Sequence, residues 1–291
     1  MVRKQDYLSL CFYYLGYSSI GTIIFRLKKI PVTRFATFHD IRPEALEKFE
    51  EKLKFLCFRT NVVSMDDFFH GRLSSRKLNT VITFDDGYKG WVSYAVQLLN
   101  KFKLPATFFV SSAFAGLSSD REPEPSRTQS LLKRVCRGGE TCLSVEDLRS
   151  IDRLGFTIGG HTLSHCNLSE IKDRTIIRSE LSEDKNRLER SIGKNVNYFA
   201  YPSGKCRNPW IDLVEILKEV GYKGAVTTES GANNSETHPY LIHRELTDAA
   251  MPLRVFKARI SGNNDPVRLL RRLALELGKS SESISAKSVL I

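Results

Sequence analysis

The chain has 291 residues, of which 41% are hydrophobic and 26% are charged, with 10 prolines and a formal net charge of +11. This average composition excludes a disordered, collagen-like or low-complexity chain. The length is sufficient for one large hydrophobic core, and single α/β barrels commonly reach this size. We therefore expect one main domain.

The positive charge is concentrated at the two ends of the chain. Residues 1–34 carry six basic residues and one acidic residue, and residues 254–291 carry eight and three. Such ends favour contact with an anionic partner such as phospholipid headgroups, although solvated surface lysines and arginines are an equally simple interpretation. No interleaving of aromatic and basic residues is present, so nucleic acid is not an expected partner.

An uncharged stretch of nineteen residues, Tyr7–Phe25, lies between the basic residues of the first end. Its length borders on that of a membrane span, but its small and polar residues make it only weakly hydrophobic. Three interpretations stay open: a helix on the membrane surface, a weak anchor, or a helix packed on the domain. No signal cleavage site follows it, and the six cysteines form no CxxC pair. We expect a cytoplasmic protein, with peripheral contact at the inner face of the cell membrane.

From residue 34 onward, short apolar runs alternate with amphipathic stretches, which is typical of βα units. The expected strands are Arg34–His39, Thr80–Phe84, Ala106–Val110, Phe156–Gly160, Val196–Ala200, Gly224–Thr228 and Tyr240–Arg244. The expected helices are Pro43–Phe55, Trp91–Phe102, Val145–Leu154, Leu168–Ile192 and Pro209–Val220. Ser144 begins a capping box, and Asn208 precedes a proline at a first helical position. Seven strands with intervening helices predict a closed or nearly closed barrel.

The alternation also predicts the domain boundaries. Residues 1–33 form an amphipathic, basic N-terminal segment, residues 34–262 form the barrel domain, and residues 263–291 form a basic helix and a Ser-rich tail. Residues 115–141 interrupt the βα rhythm as a long insertion. Long loops in compact domains are commonly functional, so this insertion is a candidate lid or substrate contact.

Two adjacent carboxylates, Asp85 and Asp86, follow the apolar run Val81-Ile82 and precede Gly87. The carboxyl ends of strands are where α/β barrels place their chemistry. Adjacent side chains point in different directions, so one carboxylate could bind a metal while the other faces an attacking water. An ordinary Asp-Gly turn between two strands is the alternative.

Two histidines, His161 and His165, follow another apolar run, Phe156-Thr157-Ile158. Histidines four residues apart on one helical turn present both imidazoles to a common point, as a zinc site requires. A chance pair on a solvent-exposed turn is the alternative. Together with Asp86, the two histidines suggest a three-residue metal site.

Taken in order, these motifs resemble the polysaccharide deacetylase family, which includes the NodB-homology or carbohydrate esterase family 4 enzymes. The matching segments are TFDDGY at Thr83–Tyr88, LPATFFV at Leu104–Val110, HTLSH at His161–His165 and FAYPSG at Phe199–Gly204. The last segment is typical of the exopolysaccharide deacetylase subgroup. The resemblance extends from about Phe35 to Gly262 and implies an α/β fold, a distorted (β/α)₇ barrel of the NodB-homology type. It also implies one divalent metal, with zinc as the expected ion, and removal of an N-acetyl group from an N-acetylglucosamine-type sugar.

Carried over residue by residue, the resemblance assigns the metal to Asp86, His161 and His165, and the general base to Asp85. The backbone N–H of Ser203 matches the position that would stabilise the oxyanion, and Tyr201 and His39 are expected to line the site. For His39, a hydrogen-bonded histidine of the core is an equally simple interpretation. The chemistry is consistent, because a metal with three protein ligands keeps positions open for water and for the amide carbonyl.

The sequence departs from the family pattern at two functional positions. Many members have an arginine at the position of Ala200, where it would pair with the catalytic carboxylate; here that charge is missing. For the general acid, Leu241-Ile242-His243 matches the Leu-x-His form of a late motif and assigns the role to His243. The same segment can be aligned with a subgroup pattern in which the arginine, here Arg244, is the recurring residue and no acid histidine is present.

The predicted function is hydrolysis of an N-acetyl group from an amino sugar in a polysaccharide, an oligosaccharide or a lipid-linked glycan. The main alternative within the fold is a deformylase or another C–N hydrolase acting on a lipid-linked sugar. A catalytically silent glycan-binding module is the alternative from another class, and the four intact residues of the two motifs disfavour it.

Overall fold

The structure is a computed structural model that describes residues 4–15, 29–113, 142–263 and 265. The expected insertion at 115–141 lies outside these residues, as does the expected C-terminal helix and tail apart from residues 263 and 265. Of the uncharged N-terminal stretch, residues 16–25 also lie outside them.

The described residues form one sheet with eight strands. They are β1 (Thr33–Phe38), β2 (Asn61–Val62), β3 (Asn79–Asp86), β4 (Thr107–Val110), β5 (Thr157–Gly160), β6 (Tyr198–Ala200), β7 (Gly224–Val226) and β8 (Glu245–Leu246). The order is β7-β6-β5-β4-β3-β1-β8, with β2 paired to β3, and the pairings are parallel. A parallel bridge between Val226 and Ile242 joins β7 to the residues that lead into β8. The sheet therefore curls round on itself, and the expected distorted barrel is confirmed.

Eight α-helices of the described residues pack around this sheet, seven of them outside it and the short third helix on its inner face. They are α1 (Lys4–Tyr14), α2 (Leu46–Arg59), α3 (Met65–Phe69), α4 (Val96–Phe102), α5 (Val145–Arg153), α6 (Arg174–Ile192), α7 (Leu213–Val220) and α8 (Leu253–Ile260). The N-terminal helix α1 packs against α8. Within the described part of the chain, no helix combines the length and the apolar character that crossing a bilayer requires.

Most predicted elements are present, and the differences lie at their ends. The capping box at Ser144 is confirmed, with its hydroxyl accepting from the backbone of Asp147. The predicted start at Asn208 is wrong, because Asp212 caps α7 and the Asn208 amide instead donates to the carbonyls of Leu168 and Ile171. Likewise the last strand lies at Glu245–Leu246 rather than at Tyr240–Arg244.

Alternation along the strands divides the apolar residues between two cores. One face packs under the helices and contains Phe38, Phe84 and Phe108. The other face lies inside the curled sheet and includes Phe35 and Val81 near the amino ends of the strands. The short helix α3 packs on this inner face, where its Phe68 and Phe69 contact Phe35 and Tyr198. The amino end of the barrel is therefore filled, and the polar residues lie at the carboxyl ends of the strands.

Candidate active site and metal centre

Strand β3 ends on the two predicted carboxylates, and each is only 2% exposed. Asp85 continues the alternation of Val81 and Thr83 toward the inside of the sheet. Asp86 has a φ of 92°, a left-handed backbone conformation that non-glycine residues rarely adopt. The turn at Asp86 allows both carboxylates, Asp85 and Asp86, to be buried at the site. Such backbone strain is typical of functional positions.

The three predicted metal ligands converge at this strand end. Their ligand atoms all lie within 4.8 Å of one another. The Oδ1 atom of Asp86 is 3.4 Å from Nε2 of His161 and 3.2 Å from Nε2 of His165. Ligand atoms about 2.1 Å from a tetrahedral zinc ion are about 3.4 Å apart, so the three residues fit such an ion.

The two histidines do not lie on a helical turn, so that part of the prediction is wrong. They belong to an irregular loop after β5, in which Thr162 has a φ of 62° and His165 a φ of 57°. The loop orients each imidazole separately. The Nδ1–H of His161 donates to the carbonyl of Ala200 at 2.6 Å, which leaves Nε2 available toward Asp86.

The electrostatics of the three residues suit a cation. Burial raises the pKa of Asp86, but hydrogen bonds from His161 and His165 outweigh burial and hold that pKa well below its usual range. Burial lowers the pKa of His161, yet the neighbouring carboxylates Asp86 and Asp85 outweigh it and raise that pKa. A positive charge is therefore stabilised here, as a site for a divalent ion requires.

Asp85 is paired with Arg244, which lies in the segment leading into β8. The guanidinium donates to both carboxylate oxygens, at 2.7 and 2.6 Å, and its Nε donates to the carbonyl of Thr227 at 2.7 Å. Burial raises the pKa of Asp85, but the charge of Arg244 outweighs burial and lowers that pKa. The arginine that is missing at Ala200 is thus replaced by one from the segment before β8, and Asp85 is held ionised.

His39 lies beside the two carboxylates. The register of β1 and β3 pairs Phe38 with Phe84, so His39 follows next to Asp85. By alternation from Phe35 and Thr37, its side chain points to the inside of the sheet. The charge of His39 contributes to the lowered pKa of both Asp85 and Asp86. This placement agrees with the expectation that His39 lines the site.

His243 precedes Arg244 in the segment before β8, and its surroundings differ from those of Arg244. It lines a pocket of about 340 Å³ together with Thr227, Glu229 and Leu241. Its backbone N–H donates to Asn233, and its carbonyl accepts from the same side chain. Of the two possible alignments of this segment, the one in which Arg244 is the recurring residue therefore identifies the residue that contacts Asp85. The acid role of His243 stays a prediction.

The segment after β6 places its two predicted residues differently. Ser203 is exposed, with a left-handed φ of 56°, in the turn that follows Tyr201. The Tyr201 side chain is fully buried in the core under the helices and packs on Phe199. Ala200 faces the inside of the sheet, so alternation along β6 turns the Tyr201 side chain outward. The Tyr201 side chain therefore lies away from the metal centre, which differs from the expectation that it lines the site.

Sequence reasoning missed one residue of the site, Asp184 on α6. Its side chain is fully buried and accepts from the backbone N–H groups of Ser112 and His161. Burial raises the pKa of Asp184 to about 7, and the two N–H donors oppose that rise. The signal was present in the sequence, because Asp184 occupies an apolar position in the helical spacing of Ile177, Leu181 and Leu188.

Comparisons with known proteins agree with this geometry. A family model described as Polysaccharide deacetylase matches residues 74–225, which is just over half of the chain. The chain belongs to the polysaccharide deacetylase family.

Among curated relatives, YxkH of Bacillus subtilis (strain 168) is 24% identical over 180 residues, which is 62% of this chain and 55% of that protein. The poly-beta-1,6-N-acetyl-D-glucosamine N-deacetylase of Staphylococcus aureus (strain MRSA252) is 23% identical over 211 residues, 68% of this chain and 66% of that enzyme. The chain thus spans between half and two thirds of the length of these relatives.

Among solved structures, IcaB from Ammonifex degensii has a TM-score of 0.63 and 22% identity, covering 79% of this chain and 97% of that one. The Streptococcus pyogenes deacetylase PplD in complex with acetate has a TM-score of 0.60 and 19% identity, with the same coverage of both chains. These similarities show that this chain shares its fold with both.

The buried ion pair generates the first prediction. Replacing Arg244 with Met should lower the free energy of unfolding by about 3–5 kcal/mol, because Asp85 would stay buried without its partner. The double variant Asp85→Leu/Arg244→Met should recover most of that loss, since an apolar pair needs no charge compensation. Denaturant-induced unfolding without metal measures the free energy of unfolding of the single and the double variant. An equal loss in the single and the double variant would show that Arg244 stabilises the fold through other contacts.

Proposed function

We propose that this protein is a metal-dependent N-deacetylase of an N-acetylglucosamine-type sugar in a polysaccharide, an oligosaccharide or a lipid-linked glycan. The observation that carries the proposal is the division of roles between neighbours. Asp86 converges with His161 and His165, while Asp85 is held ionised by Arg244 and does not share their contact. A ligand set and a separate ionised carboxylate are what hydrolysis of an amide by an activated water requires.

The residues would divide the reaction as follows. Asp86, His161 and His165 would hold a divalent ion such as zinc, which would supply a Lewis acid for the amide carbonyl and lower the pKa of water at the site to about 7. Asp85 would accept the proton of that water, since a carboxylate has further lone pairs besides those used by Arg244. The backbone N–H of Ser203 would stabilise the oxyanion, and an acid would protonate the leaving amine. The products are acetate and the free amino sugar.

A carbohydrate substrate is also supported by the pocket of about 340 Å³ beside Arg244. Arg207, Asn234 and Glu236 are among the residues that line it, together with His243 and Glu229. These side chains offer both donors and acceptors to sugar hydroxyls. The name of the staphylococcal relative specifies a poly-β-1,6-N-acetyl-D-glucosamine substrate, which makes an oligomer of that sugar the first substrate to test.

The second prediction tests the activity itself. The zinc-loaded protein should release acetate from N-acetylglucosamine oligomers, and Asp85→Asn should retain zinc but lose about 10²–10⁴ in rate, because only the base is removed. Asp86→Asn should lose both the activity and the zinc, because a metal ligand is removed. Metal analysis and acetate assays measure the two quantities separately. Release of formate from N-formyl sugars without acetate release would instead identify a deformylase, and zinc binding without any acyl release would identify a binding module.

The third prediction concerns the general acid, for which the placement beside both carboxylates favours His39 over His243. His39→Gln should lower kcat/KM for the sugar amide by about 10²–10⁴. The loss should be smaller for an N-acetyl-4-nitroaniline substrate, because its electron-poor amine depends less on protonation in order to leave. His243→Gln is the matched control. A selective loss in His243→Gln, with His39→Gln near wild type, would return the role to His243.

The fourth prediction concerns the membrane surface, at which we propose that the protein acts on the cytoplasmic side. Tyr7, Tyr14 and Leu15 on and after α1 are 62, 72 and 77% exposed, next to the basic residues of the N-terminal end. Each basic residue near an anionic leaflet contributes about 1 kcal/mol to binding. The full chain should sediment with phosphatidylglycerol vesicles at low salt and less at high salt, because salt screens the charges.

Two variants complete the vesicle experiment. A chain starting at Pro31 should not bind, and Tyr14→Ser/Leu15→Ser should bind more weakly at equal charge. Failure of the full chain to sediment at low salt would exclude the membrane proposal and leave α1 as a helix packed on α8.

A further inference from the structure

Asp184 links the two loops that follow β4 and β5. Its Oδ1 accepts from the N–H of Ser112 at 2.8 Å, and its Oδ2 accepts from the N–H of His161 at 2.9 Å. The first loop contacts the second directly as well, since the Ser111 hydroxyl donates to the His161 carbonyl at 2.8 Å. One buried carboxylate therefore fixes the backbone at the residue whose imidazole faces the metal centre.

Glu180 lies one helical turn before Asp184 on the same face of α6. Its carboxylate accepts from the N–H and the hydroxyl of Ser164, at 2.9 and 2.8 Å, and its carbonyl accepts from the N–H of Leu163 at 3.0 Å. The two acidic residues thus hold the loop between His161 and His165. This loop contains two left-handed non-glycine residues, which persist only where surrounding contacts impose them.

The space for Asp184 depends on a glycine. A Cβ atom on Gly160 would lie 2.9 Å from Oδ2 of Asp184 and 2.2 Å from the Tyr222 hydroxyl. The absence of a side chain at Gly160 allows the carboxylate to approach the backbone directly before His161. The end of β5 and helix α6 therefore pack closely here because residue 160 has no side chain.

We propose that Asp184 is a positioning residue for the metal centre, which holds the backbone N–H of His161 and thereby fixes the direction of the His161 imidazole toward Asp86. The inference rests on the proposed metal-dependent function. The inference extends that function to Asp184 on α6, which would contact neither the ion nor the substrate.

The test compares zinc affinity in two neutral variants and one control. Asp184→Asn keeps the shape but turns an amide N–H toward one of the backbone donors, and Asp184→Ser keeps one acceptor in a smaller side chain. Both should raise the zinc dissociation constant about 10–100-fold in a chelator competition. Glu183→Gln, at the adjacent exposed position of α6, removes the same charge from the same helix and should leave the affinity unchanged.

Two further readouts separate positioning from general stability. The visible absorption spectrum of the Co²⁺-substituted variants should differ from that of wild type, because the His161 ligand is displaced. The thermal midpoint without metal shows whether the variants are folded. Zinc affinity and a cobalt spectrum like wild type in both variants would overturn the proposal, whatever the change in stability.

The remaining outcomes are also informative. Loss of the folded apo state in both variants would contradict the proposal, because Asp184 would then hold the fold as a whole rather than the metal loop. Equal loss of affinity in Glu183→Gln would show an effect of overall charge and overturn it too. Failure of the wild-type protein to bind zinc would reject the proposed function itself, which keeps the two failures distinct.

Discussion

The central constraint in this structure is the burial of three carboxylates at the carboxyl end of a parallel sheet. An ionised carboxylate without a partner costs several kcal/mol in a protein interior. The fold compensates Asp85 with the bidentate Arg244, Asp86 with two imidazoles, and Asp184 with two backbone N–H groups. The three solutions differ, and each corresponds to a different proposed role: a base kept ionised, a metal ligand, and a support for a loop.

The barrel architecture makes this concentration of charge possible. The inner apolar residues and helix α3 fill the amino end of the curled sheet, so that end contributes packing. The carboxyl ends of β3 and β5 lie two strands apart, with β4 between them. Loops leaving neighbouring parallel strands meet at the same edge, which is why residues 75 positions apart in the chain can share one ion. The positive φ values of Asp86, Thr162 and His165 show that the loops adopt strained conformations in order to do so.

The sequence was informative where the structure is locally determined. Runs such as Val81-Ile82 and Phe156-Thr157-Ile158 predicted strands because a buried parallel strand needs continuous apolar residues. It was less informative where a tertiary contact competes with a local preference. Asn208 precedes a proline and looks like a helix start, but its amide finds carbonyl acceptors on the loop after His165, and the helix begins at Leu213. The helical arrangement expected for His161 and His165 was wrong for a related reason, since contacts from α6 impose an irregular loop.

The sequence by itself determined the barrel class and the two motifs whose side chains converge at the candidate metal site, because apolar periodicity and short motifs are local properties of the chain. Only the tertiary structure decided which charge pairs with Asp85, because Arg244 and Asp85 are far apart in sequence and meet through the closure of the sheet. The partners of Asp184 also depend on tertiary structure. In the sequence it is an acidic residue on the apolar face of α6, and only the packing of α6 against the ends of β4 and β5 provides its two N–H donors. Tertiary structure likewise decided the direction of the Tyr201 side chain, which the alternation of β6 turns away from the site. Side-chain direction and charge compensation depend on what surrounds a residue, and that is fixed by packing.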